Sequence, residues 1–237
     1  MIAGVSPDLP HTAHLPVSKE LGLQLLKPVA AAIIRSYWQV RLHGEAHVPP
    51  TGPVILAANH IGLLDGPVLV ALTPRLTFAL IKHELFTGVL GRFLARVGQI
   101  SLNRRAIDTA AITRAIQILR AGDVLVVFPE GSRTGGEVTY ARGGAAYLAM
   151  VTGAPVVPVA LLGTREVGHT RGRLPGRRRP IHVVYGEPIA VPRSDWPRRK
   201  AAVANWTEFL RSRLAAHVMA AQGLTGLPLP GPAMRKL

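Results

Sequence analysis

The stretch VILAANHIGLLDGPVLVAL (residues 54–72) is apolar almost throughout, and its pattern changes once along its length. Its first five residues form an uninterrupted apolar run of strand length, whereas residues 66–73 have the composition and length of a short helix. A buried strand followed directly by a helix is the building unit of α/β proteins. Three polar residues, Asn59, His60 and Asp65, lie at the join, so this stretch indicates both a fold class and a candidate site.

Strand-length apolar runs recur along the chain and alternate with helical patterns. Further strands are predicted at TFALI (77–81), GQISL (98–102), VLVVF (124–128), VVPVALL (156–162) and IHVVYG (181–186). Further helices are predicted at 84–95, 106–121, 141–152 and 198–220, with Gly122 placed to end the second of these. Strands that are apolar on both faces are typical of a sheet covered by helices. We therefore predict a single α/β domain with a mostly parallel mixed sheet covered by helices.

The segments at the two ends differ in composition from the rest of the chain. We predict an N-terminal tail and apolar helical segment at 1–45, the folded domain at 46–222, and a Pro/Gly-rich tail at 223–237. The Pro- and Gly-rich ends, 1–16 and 223–237, are expected to be loose.

An apolar segment at residues 21–40 is interrupted by Lys27, Pro28 and Arg35, which argues against a membrane-spanning helix. It predicts one or two short helices with two possible roles. Either they associate with a membrane surface, with the aromatic pair at 37–38 at the level of the lipid headgroups, or they pack on the core.

The charge balance indicates anionic partners. Among 237 residues, Lys and Arg number 28 against 13 Asp and Glu, which gives a net charge of +15. Such a surface suits nucleic acid, an anionic membrane or phosphorylated substrates. Arginine is concentrated in RGRLPGRRRP (171–180) and RSDWPRRK (193–200), which suit lipid headgroups, nucleic acid or coenzyme A phosphates. The chain has no cysteine, which excludes disulfides, thiolate metal sites and a cysteine nucleophile.

The polar residues of the opening stretch suggest acid–base chemistry. Across a strand-to-helix turn, Asp65 can accept a hydrogen bond from one imidazole nitrogen of His60 and leave the other nitrogen as a general base. The alternative is a core histidine satisfied by a helix-capping aspartate. The sequence contains neither a G-x-S-x-G elbow nor a cysteine, which disfavours a covalent intermediate. The pair would then deprotonate a hydroxyl of the substrate itself.

Basic residues follow three other predicted strands. VLVVFPEGSRTGG (124–136) ends a strand with glycine, a hydroxyl and Arg133, which favours an anion cradle, although a polar turn remains the alternative. GQISLNRR (98–105) places Arg104 or Arg105 at another strand end, and LIKHELF adds Lys82. These cations would face one pocket if the strands are neighbours.

Four blocks of this sequence together resemble the glycerolipid acyltransferases. NHIGLLD matches the NHxxxxD signature of that family, and FPEGSR matches its FPEGTR-type block. GQISLNR and APVVPVAL are similar to its second and fourth blocks, in the family order, and the resemblance covers about 48–190. The likeness is greatest to the bacterial 1-acyl-sn-glycerol-3-phosphate acyltransferase branch. Ser101 and Asn103 depart from the aromatic and acidic residues usual in the second block, which leaves the acceptor less defined than the reaction.

The resemblance implies roles for individual residues. His60 would be the general base and Asp65 its orienting partner. The substrate phosphate would be bound or enclosed by Lys82, Arg104, Glu130, Gly131 and Arg133. The implied reaction moves a fatty acyl group from acyl-CoA or acyl carrier protein to the free hydroxyl of 1-acylglycerol-3-phosphate, giving phosphatidic acid for phospholipid synthesis. The acyl thioester is a co-substrate, and no cofactor is expected.

The sequence also predicts where the protein acts and which alternatives stay open. We expect a peripheral enzyme on the cytoplasmic face of the cell membrane, in contact with an anionic lipid surface. The histidine pairs His11/His14 and His43/His47 lack a third ligand at recognisable spacing, so no metal site is predicted. One alternative is a sibling enzyme that acylates glycerol 3-phosphate or another lysophospholipid or glycolipid. Another is a nucleic-acid-binding protein, which the aromatic content of 5% disfavours.

Overall fold

A computed structural model describes residues 10, 12, 20–104, 106 and 108–234 of the chain. Within these residues the strands are β1 (Gln39–His43), β2 (Val54–Ala58), β3 (Thr77–Lys82), β4 (Ile100–Leu102), β5 (Val124–Val127), β6 (Val156–Leu162) and β7 (Pro180–Tyr185). The α-helices are α1 (Glu20–Tyr37), α2 (Asp65–Leu72), α3 (Gly88–Arg96), α4 (Thr109–Arg120), α5 (Gly144–Thr152) and α6 (Lys200–Thr225). Short 3-10 helices lie at Glu45–His47 and His83–Leu85.

All seven strands form one sheet in the order β1-β7-β6-β2-β5-β3-β4. The five strands from β6 to β4 are mutually parallel, β7 is antiparallel to β6, and β1 runs parallel to β7. The central strands β2, β5 and β6 are buried along their whole length, as their uninterrupted apolar runs predict. The mostly parallel mixed sheet of the prediction is therefore confirmed.

Helices cover both faces of the sheet. One apolar layer joins α1 and α2 to the sheet through residues such as Ile34 and Leu69. The layer on the other face joins α4, α5 and α6 to it through residues such as Ile116, Leu148 and Leu210. The sheet is thus enclosed between two helical layers, and its polar loops are left at the strand ends.

The sequence prediction missed β1, which lies in the segment assigned to the N-terminal tail and helix. Its five residues alternate between exposed and half-buried positions, because β1 is an edge strand, and the sequence has no apolar run there. The predicted helical segment at 21–40 ends instead at Tyr37, where Gln39 and Val40 enter the sheet.

The α1 helix has two apolar sides rather than one. Leu23, Ile34 and Trp38, at or just beyond the helix, are buried in the core, so the core-packing interpretation holds for that side. Trp38 is 8% exposed and its indole N–H donates to the Pro175 carbonyl at 3.1 Å, so the prediction of a headgroup-level position is wrong for this residue. Lys27 donates to two carbonyls beyond the end of α2, one of them at Thr73, and thereby attaches α1 to α2.

Helix boundaries differ from prediction most clearly at three places. The helix predicted at 84–95 is a short 3-10 turn followed by α3. The α4 helix begins at Thr109 rather than 106, because the Asp108 carboxylate caps it by accepting from the Ala111 amide. The α6 helix continues to Thr225, and residues 226–234 are packed against the domain instead of being loose. No helix in the described part of the chain is long and apolar enough to cross a membrane.

Candidate active site

The candidate site lies where three neighbouring parallel strands end. β2 pairs with β5 on one side and with β6 on the other. The loops that follow their carboxyl ends therefore emerge side by side, at the edge where α/β sheets place ligands. These loops begin at Asn59, Phe128 and Gly163, and they contain most of the polar residues that the sequence singled out.

His60 and Asp65 form a hydrogen-bonded pair across the strand-to-helix turn. The His60 Nδ1 atom lies 2.7 Å from Asp65 Oδ2, and Asp65 is the first residue of α2. The Asp65 carboxylate is fully buried, whereas 17% of the His60 side chain is exposed. The bond occupies Nδ1 and leaves Nε2 as the second ring nitrogen, which is the arrangement of a base and its orienting acid.

Four donors hold the Asp65 carboxylate. Besides His60, the Ile61 and Gly62 amides donate to Oδ2 at 2.7 and 2.8 Å. The Thr164 hydroxyl, just beyond β6, donates to Oδ1. A buried carboxylate is stable as a charge only when such donors satisfy it, so the loop is built around this side chain.

The main chain of His60 is also fixed from both sides. Its amide donates to Glu130 Oε1 at 2.8 Å, and its carbonyl accepts from the Thr134 amide at 2.7 Å. The Thr134 hydroxyl donates to the other Glu130 oxygen, which closes the network. Phe128 stacks on the imidazole with ring centroids 4.2 Å apart and planes at 22°. Burial raises the pKa of the Glu130 carboxyl, and its hydrogen bonds from Thr134 and His60 partly oppose that rise.

Small and polar residues let the loops approach closely. A Cβ atom on Gly62 would collide with the Thr164 carbonyl oxygen, so no larger residue fits at that position. The Asn59 amide group donates to the Leu161 carbonyl at 3.1 Å, and its oxygen accepts from the Leu161 amide at 2.7 Å. Asn59 thus continues the pairing of β2 with β6 beyond the end of the strand.

Two of the predicted phosphate-binding arginines lie beside this pair. Arg104 donates to the Gly131 carbonyl, and Arg133 donates through Nη1 to the Arg171 carbonyl at 2.7 Å. Arg104 and Arg133 are partly buried. Burial lowers the pKa of the Arg133 guanidinium, the nearby Asp65 carboxylate opposes that effect, and the charges of Arg104 and Arg171 add to it. Arginines from three loops therefore share one region next to the His60–Asp65 pair.

Two of the predicted phosphate-site residues have different surroundings from those expected. Lys82 stands at the carboxyl end of β3, but its ammonium pairs with Glu84 at 2.9 Å on the surface. The Glu130 carboxylate faces the His60 amide and Thr134, which suits a role in holding His60 rather than in binding phosphate.

The remaining residues named in the sequence analysis lie elsewhere. The alternative cation Arg105 lies outside the described residues, as do His11 and His14. His43 bonds to His182 at 3.0 Å, and His47 bonds to the Tyr185 carbonyl at 2.9 Å.

Three residues of this network were not predicted as site residues: Thr134, Thr164 and Phe128. Each follows the end of β5 or β6, where the strand-end rule predicts functional loops. A threonine two residues after the buried strand 156–162 was a usable signal for Thr164. The contact with Asp65 spans 99 residues of sequence, so its partner could not be identified without the sheet order.

Comparison with known proteins identifies the family. The sequence model of the Acyltransferase family matches residues 39–162, which include His60, Asp65, Glu130 and Arg133. The chain belongs to the Acyltransferase family. It is therefore an O-acyltransferase, and the His60–Asp65 pair is the chemical group in the matched region that is suited to activating a hydroxyl.

Similar acyltransferases occur in several bacteria. The chain is 32% identical over 148 residues to a 1-acyl-sn-glycerol-3-phosphate acyltransferase of Borreliella burgdorferi, a match that spans 57% of this chain and 58% of that relative. It is 27% identical to the Bacillus subtilis 1-acyl-sn-glycerol-3-phosphate acyltransferase, over 74% of this chain and 86% of the relative. It is 32% identical to a lyso-ornithine lipid O-acyltransferase of Pseudomonas aeruginosa, over 76% of this chain and 74% of the relative.

The fold of this acyltransferase is also that of a solved structure. The crystal structure of the 1-acyl-sn-glycerophosphate acyltransferase PlsC from Thermotoga maritima matches with a TM-score of 0.60. The match covers 85% of this chain and 81% of the other at 22% sequence identity, so the likeness concerns the fold alone. The relatives differ in the acceptor that their names give, which leaves the acceptor to be argued from the site.

Proposed function

We propose that this acyltransferase moves a fatty acyl group from an acyl thioester to the free hydroxyl of 1-acylglycerol-3-phosphate, giving phosphatidic acid for phospholipid synthesis. The observation that carries the proposal is the position of the buried His60–Asp65 pair beside Arg104 and Arg133. The pair suits deprotonation of a hydroxyl, and planar guanidinium groups suit a phosphate monoester on the same acceptor. The thioester donor, acyl-CoA or acyl carrier protein, is part of the proposal.

The proposed mechanism needs no covalent enzyme intermediate. The Nε2 atom of His60 takes the proton of the acceptor hydroxyl while the oxygen attacks the thioester carbonyl carbon. The tetrahedral intermediate collapses, the carbon–sulfur bond breaks, and the departing thiolate receives the proton from the imidazolium. Asp65 holds the ring in orientation and stabilises its positive charge in between. The absence of cysteine from the sequence fits direct transfer to the acceptor.

A lyso-ornithine lipid is the second candidate acceptor. It is favoured by the Pseudomonas aeruginosa relative, which is 32% identical over about three quarters of both chains. The charges at the site favour the phosphate instead, because Arg104, Arg133 and Arg171 lie together. They attract the net negative charge of a phosphate monoester more strongly than a zwitterionic ornithine headgroup, whose carboxylate they attract but whose amino group they repel. Glycerol 3-phosphate satisfies the same arginines but lacks the acyl chain that a lipid acceptor would bring.

An acyl-transfer assay with a panel of acceptors tests the proposal. Full-length protein is given acyl-CoA or acyl carrier protein loaded with the same chain, together with 1-acylglycerol-3-phosphate, glycerol 3-phosphate or a lyso-ornithine lipid. We expect the highest kcat/KM with 1-acylglycerol-3-phosphate and the second highest with glycerol 3-phosphate. A clear preference for the lyso-ornithine lipid would replace the proposal with the second candidate. Transfer to none of the three would contradict both.

We further propose that the enzyme works as a peripheral protein on the cytoplasmic face of the cell membrane. The support is an exposed apolar stripe on α1, formed by Leu25, Val29, Ile33 and Tyr37 at four-residue spacing, each about half exposed or more. Apolar side chains of α3, including Phe93, are also exposed, and α1 approaches the end of α3. A net charge of +15 would add attraction to anionic lipids.

A vesicle-flotation assay with two matched variants tests this placement. Ile33→Glu puts a charge into the α1 stripe at a residue that is 61% exposed, and should weaken binding to anionic vesicles roughly tenfold or more. Met219→Glu makes the same kind of change on α6 at a residue that is 71% exposed, and should bind as the wild type does. Equal binding by both variants would contradict a membrane-facing α1. Deleting residues 1–40 is a poorer test, because α1 and β1 belong to the core and sheet.

A further inference from the structure

The residues that follow α6 form a strap over the back of the active-site loops. This C-terminal strap, residues 226–234, packs through Leu227 and Leu229 on the apolar layer beneath α6. The Leu229 amide donates to the Gln222 side chain at 3.1 Å, and Pro230 is buried. The strap is thus seated on the domain by both apolar and polar contacts.

The strap reaches the loop that carries His60. A Cβ atom on Gly136 would meet the side chains of Ile61, Leu229 and Asn59, so these three converge on the bare Cα atom of Gly136. Asn59 and Ile61 flank His60 in the sequence, and both are fully buried. Leu229 of the strap therefore packs in the same cluster as the immediate neighbours of the predicted base.

One buried arginine joins the strap to the loop after β5. Arg165 is 2% exposed, and its Nη2 atom donates to the Thr134 carbonyl at 2.7 Å and to the Gly231 carbonyl at 2.6 Å. Its Nη1 atom donates to the His169 carbonyl at 3.3 Å. The amide of Thr134 in turn donates to the His60 carbonyl. Two successive hydrogen bonds therefore lead from Arg165 to the main chain of His60.

The chemistry of Arg165 argues for a role beyond packing. Burying a guanidinium is costly, and the nearby Asp65 and Glu137 carboxylates oppose that cost without cancelling it. An apolar side chain would fill the same space without that cost. A planar group with several donors, by contrast, can hold carbonyls from separate segments at fixed positions. Arg165 directly follows Thr164 in the sequence. Thr164 donates to the Asp65 carboxylate, whereas Arg165 donates to the Thr134 carbonyl, and the Thr134 amide donates to His60. Two consecutive residues after β6 therefore support the two members of the predicted dyad.

We propose that Arg165 and the C-terminal strap form a clamp that positions His60 for catalysis. Arg165 holds the Thr134 carbonyl, and the amide of the same residue holds the His60 carbonyl, while Leu229 fills the space behind Ile61 and Asn59. Arg165 is a positioning residue and touches no substrate. The inference rests on the proposed acyl transfer for its kinetic test, and its structural test is independent of the reaction.

The kinetic test uses full-length variants and separates kcat from KM. Arg165→Ala should lower kcat about tenfold to a hundredfold, because a small displacement of a catalytic group strongly lowers the rate. KM for both substrates should stay within about twofold of the wild-type value. Arg165→Lys retains donors for the two nearest carbonyls and should recover part of the lost kcat. Arg213→Ala removes an exposed arginine of α6 and serves as the matched control with wild-type kinetics. An unchanged kcat in folded Arg165→Ala, or a loss confined to KM, would overturn the clamp.

A double-mutant cycle tests whether Arg165 and the strap act together. If both act through the same loop, Leu229→Ala should lower kcat by itself, and the double variant Arg165→Ala/Leu229→Ala should be little slower than the slower single variant. Losses that multiply would mean that the strap and Arg165 act separately, and the clamp would be wrong.

Amide exchange provides the test that needs no substrate. In Arg165→Ala, the Thr134 and Leu229 amides should both exchange about tenfold faster than in the wild type, because one clamp orders both segments. Amides of the central strand β2 should be unchanged, which shows that the variant is folded. Unchanged exchange at Thr134 would overturn the clamp even if kcat falls. Inactivity of the wild type on every acceptor would refute the proposed function and leave this structural result to decide the clamp.

Discussion

The two halves of the active-site edge are built in different ways. On the His60 side, the Asp65 carboxylate accepts from four donors without any exposure, and the His60 main chain is held at both its amide and its carbonyl. On the arginine side, Arg104 and Arg133 are partly exposed and each reaches a backbone carbonyl of a neighbouring loop. The His60 side is held in place by buried hydrogen bonds, whereas the arginine side consists of long, partly exposed side chains.

This difference matches two different demands of acyl transfer. A general base must stand in the correct orientation before the reaction, and a dense network provides that preorganisation. A headgroup-binding region must exchange contacts as acceptor enters and product leaves, and long cationic side chains can do so. Substitutions on the His60 side should therefore lower kcat and the free energy of unfolding. Substitutions on the arginine side should change KM and the choice of acceptor.

His60→Ala should give the largest loss of activity. Removal of the proposed general base is expected to lower kcat by about 10²–10⁴-fold, a typical contribution of positioned proton transfer. The imidazole is partly exposed, its main-chain bonds to Glu130 and Thr134 remain, and Asp65 keeps three of its four donors, so the unfolding midpoint should fall less than in Asp65→Asn. Steady-state kinetics and thermal unfolding measure the two quantities. A folded His60→Ala protein with near-wild-type turnover would show that the dyad is structural.

Asp65→Asn should lose both activity and stability, unlike His60→Ala. An asparagine keeps one acceptor oxygen but brings an NH₂ group toward donors that now lack a partner. We expect a fall in kcat that approaches that of His60→Ala, and a loss of about 2 kcal/mol in the free energy of unfolding, because buried donors lose their acceptor. Urea unfolding checks the second figure. Equal stability of the two variants would mean that the network around Asp65 does not hold the loop.

Much of the sheet and the dyad could be predicted because their signals are local. The β2 strand and the β6 strand begin and end at the predicted residues, since uninterrupted apolar runs bounded by polar residues mark central strands. His60 and Asp65 are five residues apart, and the strand-to-helix turn between them is short enough to bring them together. The edge strand β1 has no such run, so its pairing with β7 was visible only in three dimensions.

The supporting residues could not be predicted because their contacts are distant in sequence. Thr164 meets Asp65 across 99 residues, and Arg165 meets Gly231 across 66. The Pro- and Gly-rich composition of 223–237 predicts a loose tail, yet the described part is held by Arg165 and Leu229. A Pro- and Gly-rich composition predicts that a segment lacks helices and strands. It does not predict whether the segment is held in place, because that depends on contacts with residues distant in the sequence.

Arg133→Ala tests the more exposed half of the edge. Loss of one charge-assisted contact should raise KM for 1-acylglycerol-3-phosphate roughly tenfold while kcat changes less. An acceptor that lacks phosphate should be affected less than the phosphorylated one, and Arg213→Ala is again the matched control. Equal losses with both acceptors would assign Arg133 to the support of its loop, through its bond to the Arg171 carbonyl.

Glu130→Gln should have the smallest effect on activity, although Glu130 lies in the fixed half. The amide oxygen of glutamine can still accept from the His60 amide, and its NH₂ group can donate to the Thr134 hydroxyl oxygen. The His60 main chain therefore keeps its support, and kcat should stay within about fivefold of the wild type. A larger loss would mean that the negative charge of Glu130, and not its position alone, contributes to the reaction.

The pH dependence of the stability of Glu130→Gln, compared with that of the wild type, should show how much the buried Glu130 charge destabilises the fold. Burial raises the pKa of Glu130 above its ordinary value of 4.5, so the folded protein holds this proton more tightly than the unfolded chain does. Between 4.5 and the raised value, the folded state binds more protons, and this group therefore makes the wild type less stable as pH rises. Glu130→Gln does not titrate, so its stability relative to the wild type should increase with pH above 4.5 and then level off. Urea unfolding of both proteins at a series of pH values measures this relative stability. If the stability of Glu130→Gln relative to the wild type falls as pH rises, the carboxylate is stabilised in its charged form.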